Sequence, residues 1–385
     1  MNILHLSLAI SAALLSPIVC AQSATTPTQE PSGALGQVAG SESPILFNFA
    51  GYADVTYIRP QGSLDAYGVA TLAPIFQLLI KERIFLETEL ELEVDDHGNR
   101  ETAVEYATFN WLINDNLALV AGKFLSPVGY FFQNQHPSWV NKLASKPAGF
   151  GHGGANPISD VGVQLRGGKL FANGQQLNYA IYNSNGPQLG LEIEGMAMAK
   201  GATGEPEFAL DLDSTGRSRN PDGKRTSGGR IGWLPVPDVE IGASLARGDV
   251  VLDAGELSQG VEPSRTYQAD GIDAVWHATK ALELRGEWIR QRVGDAPTSI
   301  APDQTTWRAW YAQGAYRWGN DRWETVLRYG DSVSPHAEAT YKQTAIGLNY
   351  LFRPNAIAKL TWQFNDSADP VTNANALLLQ FAYGF

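Results

Sequence analysis

The sequence predicts an all-β protein: a transmembrane antiparallel β-barrel of about sixteen strands, with one long loop folded into its interior. Three observations indicate this fold: the C-terminal strand, the sorting of connections by length, and the positions of the aromatic residues. The 385 residues are 44% hydrophobic, and their mean hydropathy is −0.18. After the first twenty residues, no run approaches the ~18–20 apolar residues that a membrane helix needs. Barrel strands hide their apolar residues in alternation, so this composition fits a barrel.

The C-terminal segment has the pattern of a strand that closes a barrel in a lipid bilayer. Alternate positions place one set of apolar side chains on a single face, and the last residue is an aromatic. A terminal apolar strand of a soluble protein would usually be frayed and exposed. In a barrel the same face contacts lipid, and the aromatic lies at the interface. The residues on this face are Leu377, Leu379, Phe381, Tyr383 and Phe385.

From position 45 onward, segments of about ten residues alternate apolar and polar side chains and are separated by turn residues. An even number of strands lets both chain ends face the periplasm. We place the strands at 45–58, 66–79, 83–94, 101–112, 116–125, 158–170, 175–185, 226–234, 238–248, 266–276, 282–291, 306–318, 322–331, 338–352, 355–366 and 374–385.

The connections between these strands alternate between short and long after the fourth strand, as expected for periplasmic turns and extracellular loops. The long set includes 126–157, 186–225, 249–265 and 292–305. The short set is Lys81-Glu82, Asn114-Asp115, Ala172-Asn173-Gly174, Pro235-Val236-Pro237, Thr279-Lys280, Gly319-Asn320-Asp321 and Arg353-Pro354.

Aromatic residues gather beside the short connections. A ring with an N–H or O–H group is stable at a membrane interface, because the ring is apolar and the polar group can contact water. The residues are Trp111, Trp233, Trp276, Trp318, Trp323, Phe352 and Phe385.

The chain divides into three predicted parts. Residues 1–21 have a short apolar core and small residues at Val19-Cys20-Ala21, as in a secretory signal peptide. Residues 22–44 are rich in Ser, Thr, Pro and Gly and are predicted to be a flexible periplasmic leader. Residues 45–385 form the barrel. The predicted location is the outer membrane of a Gram-negative bacterium.

The predicted third strand, 83–94, carries a column of four glutamates on alternate positions. Charge on the lipid face is costly, so these carboxylates should face the lumen. Stacked carboxylates repel one another unless basic groups or cations neutralise their charge. The column would then contribute either a transverse field across the pore or a salt-bridged lining. The column is Glu87, Glu89, Glu91 and Glu93, and the basic lumen candidates that could answer it are Arg230, Arg285, Arg317, Arg322, Arg328 and Lys359.

The connection from Ser126 to Ser159 is rich in aromatic residues and glycine, which is unfavourable for a loop in water. We therefore expect it to fold into the lumen and narrow it. His136, Lys142 and Lys146 are candidate constriction residues, with the lysines either attracting anions or simply solvated. In the second long connection, 186–225, we expect the acidic stretch to form solvated outer surface, and the basic stretch that follows could line an entry funnel for anions.

No motif for catalysis, a cofactor or a metal is recognised. The sequence contains no phosphate-binding loop, zinc-protease motif or nucleophile turn. The spacing of His136 and His152 matches no local ligand pattern, so no metal site is predicted. A net charge of −12 argues against nucleic-acid binding.

Several phrases resemble the phosphate-selective porin O and P family across most of the chain after residue 44. The resemblance implies a homotrimer of sixteen-stranded barrels, each with an inward third loop, that takes up anions through stacked arginines and a lysine-ringed constriction. This chain differs from that pattern, since its basic candidates are scattered and the glutamate column opposes them. The phrases are Gly122-Lys123-Phe124, Pro127, Gly129, Tyr179, Asn183, Gly186, Gly229-Arg230-Ile231, Pro235, Glu240-Ile241-Gly242-Ala243-Ser244, Arg328-Tyr329, Asn349-Tyr350 and Pro354-Asn355.

We therefore expect a passive channel for small hydrophilic solutes, with a weak preference for anions such as phosphate and no catalysis. Outer-membrane lipid and lipopolysaccharide would be its surroundings. Two alternatives stay open at this point: an outer-membrane enzyme, and a structural or adhesive barrel with an occluded lumen.

Overall fold

The computed structural model describes residues 36–37, 45–62, 66–94, 98–151, 153–194, 207–255, 261–370 and 372–385. The predicted signal peptide, nearly all of the predicted leader and His152 lie outside these described residues. Among the described residues, no helix is long and apolar enough to cross a membrane.

Nineteen strands are present in the described residues, and sixteen of them build one closed antiparallel sheet. Their bounds agree with the sequence-based assignment to within a few residues. The strands are β1 (Gly36–Gln37), β2 (Ile45–Pro60), β3 (Ala66–Ile80), β4 (Ile84–Val94), β5 (Arg100–Asn114), β6 (Leu117–Leu125), β7 (Ser159–Leu170), β8 (Gln176–Ser184), β9 (Gln188–Glu194), β10 (Glu207–Asp213), β11 (Thr226–Val236), β12 (Val239–Val251), β13 (Ser264–His277), β14 (Leu282–Val293), β15 (Thr305–Trp318), β16 (Trp323–Val333), β17 (Tyr341–Arg353), β18 (Ala356–Ser367) and β19 (Ala376–Gly384).

The barrel closes where the last strand, β19, pairs with β2, with Leu379 opposite Tyr57. The terminal residue completes this seam: the Phe385 amide donates to Gly51 O at 2.9 Å, and the Gly51 amide donates to Phe385 O at 3.0 Å. Closure leaves no strand edge unpaired, which a sheet surrounded by lipid requires. The predicted fold class is confirmed.

Three strands lie outside the barrel wall. The two-residue strand β1 pairs with Leu46 and Phe47 of β2. Strands β9 and β10 form a hairpin within the second long connection, and β8 pairs directly with β11 across it. The sequence assignment missed this hairpin. It also began one strand at residue 338, where the structure has a 3₁₀ turn at Ala337–Ala339.

The predicted sorting of connections is confirmed, with short turns at one end of the barrel and the long loops at the other. Two of the short turns contain non-glycine residues with positive φ: Lys81 and Glu82 in one, and Asn320 and Asp321 in the other. Positive φ at both central residues is the geometry that matches the right-handed twist of a tight hairpin.

The outer surface of the barrel is apolar and carries a band of aromatic rings near the short turns. Trp318 stacks on Trp323 with centroids 5.8 Å apart, Trp323 contacts Tyr350 at 4.8 Å, and Tyr350 contacts Phe352 at 4.9 Å. Trp111, Trp233 and Trp276 point outward and are about half exposed in the isolated chain. The band lies where the sequence predicts the membrane interface.

Glycine is required at a close approach between β5 and β6. Gly122 in β6 has φ +117°, and a Cβ atom there would lie 2.2 Å from Ala107 O. Gly314 in β15 has no such conformation, and its nearest contact would be Leu284 Cδ2 at 3.4 Å.

We expect Gly122→Ala to lower the free energy of unfolding by roughly 1–3 kcal/mol, because an L side chain is strained in this conformation. Denaturant unfolding of the detergent-solubilised barrel, followed by tryptophan fluorescence, measures the change. Gly314→Ala is the matched control and should leave the midpoint nearly unchanged. Equal midpoints for both variants would contradict the strain assigned to Gly122.

Candidate functional site

The connection between β6 and β7, residues 126–158, enters the barrel, as predicted; we call it the constriction loop. It contains the short helix α1 (Phe131–Gln135). Phe131 and Phe150 are buried against Tyr311, an inward-facing residue of β15, with Phe150 and Tyr311 centroids 5.1 Å apart. The loop therefore packs its apolar face on one wall of the barrel.

Glu287 of β14 fixes the start of α1. Its carboxylate accepts hydrogen bonds from the Tyr130 amide at 2.8 Å and the Phe131 amide at 3.1 Å. The Gly129 amide donates to Ser244 Oγ at 3.1 Å, and a Cβ atom on Gly129 would lie 2.3 Å from Glu287 Oε1. Glycine at 129 thus allows the loop to approach the carboxylate that holds it.

Two predicted lumen cations hold the second half of the constriction loop through its backbone. Arg328 donates to Ser145 O at 3.0 Å and to Lys146 O at 2.8 Å. Lys359 donates to Leu143 O at 3.3 Å and also contacts Ser138 O. These cations satisfy loop carbonyl groups that would otherwise be buried without a donor.

Lys142, a predicted constriction residue, is neutralised by the wall. Its ammonium group lies 2.8 Å from Glu324 Oε1 and 3.8 Å from Glu283 Oε2. Arg317 also contacts Glu324, at 3.2 Å. Lys146 differs: its side chain is exposed, and its ammonium group lies 5.8 Å from the centroid of the Phe132 ring.

In the described structure, none of the six basic candidates forms an ion pair with the glutamate column. This corrects the pairing suggested by the sequence. Each candidate contacts another group: an acidic residue on the same or an adjacent strand, a loop carbonyl group or, for Arg322, a tyrosine hydroxyl. Alternation gives the face of a side chain but not its cross-strand partner. Arg230 pairs with Glu240 and Asp273, Arg285 with Glu283, Arg317 with Glu324, and Arg322 contacts the Tyr350 hydroxyl, while Arg328 and Lys359 hold the loop.

The structure places the glutamate column on the inner face of β4, where different groups contact it. Gln77 donates to Glu87 Oε1 at 2.7 Å. The Tyr52 hydroxyl lies 3.0 Å from Glu89 Oε1 and 3.2 Å from Glu91 Oε2. The column is therefore held mainly by neutral donors at these positions.

His136 of the constriction loop meets the column where both are buried, with Nε2 3.6 Å from Glu89 Oε1. Burial alone lowers the pKa of His136, but the hydrogen bond and charge of Glu89 outweigh it and raise the pKa above its ordinary value. The loop is thus attached to both sides of the barrel.

Sequence reasoning missed Arg166 of β7, whose charge acts on Glu87. Its guanidinium group donates to Asn110 Oδ1 at 2.9 Å. The alternation of exposed Val163 and Leu165 with Gln164 and Arg166 was sufficient to place this arginine on the inner face.

The β9–β10 hairpin also folds inward, contrary to the outer surface expected for this connection. Leu189, Leu210 and Leu212 are buried and join the same apolar cluster as Trp307 and Phe150. The alternating pattern Leu210-Asp211-Leu212-Asp213 was the available signal.

Two cavities flank the constriction loop. One of about 450 Å³ lies between the loop and the wall from β2 to β7, and its lining includes Tyr52, Glu87 and Glu89. The other, of about 430 Å³, lies beside the wall from β13 to β16, and its lining includes Lys142 and Glu283.

The fold is similar to solved outer-membrane proteins at low sequence identity. OmpF of Salmonella typhi, in complex with daunomycin, is 11% identical with a TM-score of 0.58, covering 88% of this chain and 98% of that one. DcaP, an outer-membrane channel of Acinetobacter baumannii, is 11% identical with a TM-score of 0.56, covering 89% and 97%. In-vitro folded OmpT of Vibrio cholerae, in its trimer form, is 10% identical with a TM-score of 0.52, covering 89% and 99%.

No family model matches the chain, and neither does any curated protein. The resemblance to phosphate-selective porins is therefore not established by these comparisons and stays a prediction. The barrel fold and its apolar outer surface confirm the predicted location, the outer membrane of a Gram-negative bacterium.

Removing the loop anchor at Lys359 should loosen the constriction loop. We expect Lys359→Met to increase the rate of tryptic cleavage after Lys142 by roughly 10- to 100-fold, whereas the bond after Lys146 precedes Pro147 and resists trypsin. Charged hydrogen bonds contribute about 1.5–3 kcal/mol, and cleavage follows the population of the open loop.

The matched control is Lys342→Met, because Lys342 is exposed on the outer face of β17. This variant should keep the wild-type rate of cleavage in the loop. Gel analysis of timed digests, with fragments identified by mass, gives both rates. Protection of the loop in Lys359→Met equal to that in wild type would show that this side chain is not an anchor.

Proposed function

We propose that this chain is an outer-membrane porin, through which small hydrophilic solutes diffuse passively. One observation carries the proposal: a polar inner wall and two cavities of about 450 and 430 Å³ border a loop folded into the barrel. A solute would partition into the narrowed region and leave it again, because weak contacts on several sites permit release.

The charge distribution favours cations in this channel, in contrast to the weak anion preference expected from the sequence. Basic residues on the wall from β11 to β18 are paired with acidic residues or hold loop carbonyl groups. The wall formed by β4 and β5 carries the glutamate column and also Glu101 and Glu105. Its basic neighbours are fewer, with Arg166, Lys123 and Lys146 acting on these carboxylates. A net negative lining raises the local concentration of cations.

We also propose that the chain is exported with removal of residues 1–21, that it assembles as a homotrimer, and that it contacts lipopolysaccharide. A solved neighbour, OmpT of Vibrio cholerae, has a trimer form. We also propose that the barrel catalyses no reaction.

An occluded barrel is the second candidate, and one observation favours it. Tyr52, Glu89 and His136 are all buried where the constriction loop meets the wall. Such a contact would close the passage if it extended across the lumen.

Planar-bilayer recording separates the two functions. We expect the purified barrel to give discrete conductance steps in KCl, because a hydrated path beside the loop conducts ions. A membrane that contains folded barrel, as shown by heat-modifiable migration on gels, yet stays silent would support the occluded alternative.

A pair of variants with opposite expected effects tests the charge preference. Glu93→Gln should lower the ratio of potassium to chloride permeability by about twofold, and Lys146→Gln should raise it by a similar factor. Reversal potentials in a KCl gradient give these ratios. A wild-type potential that favours chloride would restore the anion preference expected from the sequence.

A further inference from the structure

Four side chains converge where the constriction loop meets the glutamate wall. Glu89 and Glu91 come from β4, Tyr52 comes from β2, and His136 comes from the loop. One carboxylate oxygen from each glutamate and one imidazole nitrogen of the histidine lie within 4.8 Å of one another. We call these three residues the Glu-Glu-His cluster.

Hydrogen bonding alone leaves this cluster short of positive charge. The Tyr52 hydroxyl has one proton, yet it lies 3.0 Å from Glu89, 3.2 Å from Glu91 and 3.3 Å from His136 Nε2. This single proton cannot serve both carboxylates at once. Two carboxylates at this spacing also repel each other in a buried environment.

The histidine is suitably placed to act as a ligand. His136 is only 8% exposed, and its Nε2 atom faces Glu89 and Tyr52. Its Nδ1 atom is buried and has no hydrogen-bond partner in the described structure. The Nε2 lone pair becomes available to an ion when the ring carries its proton on Nδ1, and the ion then replaces the hydrogen bond between Nε2 and Glu89.

Four of the six separations among these atoms are close to those of a tetrahedral zinc site, and the other two are no more than 4.8 Å. Zinc binds histidine nitrogen and carboxylate oxygen at about 2.0–2.2 Å, which separates neighbouring ligand atoms by roughly 3.3 Å in a tetrahedron. The distances among the Tyr52, Glu89 and His136 atoms, and from Tyr52 to Glu91, range from 3.0 to 3.6 Å. Mixed oxygen and nitrogen ligands of this type suit Zn²⁺ better than Ca²⁺ or Mg²⁺, which bind oxygen.

We propose that Glu89, Glu91 and His136 bind a divalent transition-metal ion such as Zn²⁺, with the Tyr52 oxygen beside it as the fourth donor. The ion neutralises the two carboxylates and links the constriction loop to the barrel wall. No local ligand pattern marks His136 in the sequence, because its partners lie on distant strands. The ion would make the narrow region of the channel sensitive to zinc.

A second group of similar composition, which we call the outer group, is formed by Glu192 of β9 with His336 and Glu338 of the connection between β16 and β17. Its two glutamates are exposed, whereas Glu89 is 2% exposed. His336→Gln therefore serves as the matched control for His136→Gln.

Calorimetric titration of the full-length, EDTA-treated barrel in detergent with ZnCl₂ tests the site directly. We expect saturable binding in wild type, with affinity at least tenfold weaker in His136→Gln and in Glu91→Gln. His336→Gln should keep the wild-type affinity. Circular dichroism and heat-modifiable migration verify that each variant is folded.

Absence of saturable binding in wild type would overturn the proposal, and so would unchanged affinity in folded His136→Gln. Loss of binding in His336→Gln alone would assign the ion to the outer group and would also overturn it.

Conductance provides a second readout that separates this site from the proposed function. In wild-type channels, we expect micromolar zinc to lower the conductance at least twofold, and His136→Gln should abolish this effect. Zinc binding without any conductance in either protein would leave the metal site standing and remove the porin function. A zinc block of equal size in both proteins would overturn the site.

Discussion

The constriction loop stays inside the barrel because strand side chains satisfy its backbone groups. A chain segment that crosses a barrel brings amide and carbonyl groups into a region with little water, and each must find a partner. Glu287 accepts from two amides at the start of α1, and Arg328 and Lys359 donate to carbonyl groups in the second half of the loop. The apolar side of the loop and the β9–β10 hairpin are buried together against the wall opposite the glutamate column.

This anchoring determines which charges remain for solutes. Arginine and lysine residues that could have lined an anion path are bound to the loop or to acidic residues on the same or a neighbouring strand. The wall opposite the apolar cluster keeps its carboxylates, held mainly by Tyr52 and Gln77. The number of charged residues in the sequence is therefore a poorer guide to ion selectivity than the groups with which those residues pair in the structure.

The sequence was sufficient for the barrel and for the entry of the constriction loop into it. Alternation and turn chemistry depend on neighbours in the chain, so strand bounds and the alternation of connections could be predicted. Anchoring contacts could not, because Lys142 and Glu324 are 182 positions apart and only strand register brings them together. Arg166 and the β9–β10 hairpin are intermediate cases. Local alternation in the sequence indicated both, but the residues that they contact could not be predicted.

The position of the loop relative to the two walls can be measured most directly by cysteine accessibility in a Cys20→Ser background. Glu93→Cys on the acidic wall should react with a charged thiol reagent in reconstituted membranes. Ile289→Cys, buried behind the loop at 0% exposure, should remain unreacted until the barrel is unfolded. Rapid labelling at position 289 together with protection at position 93 would contradict the account, because the loop would then cover the acidic wall.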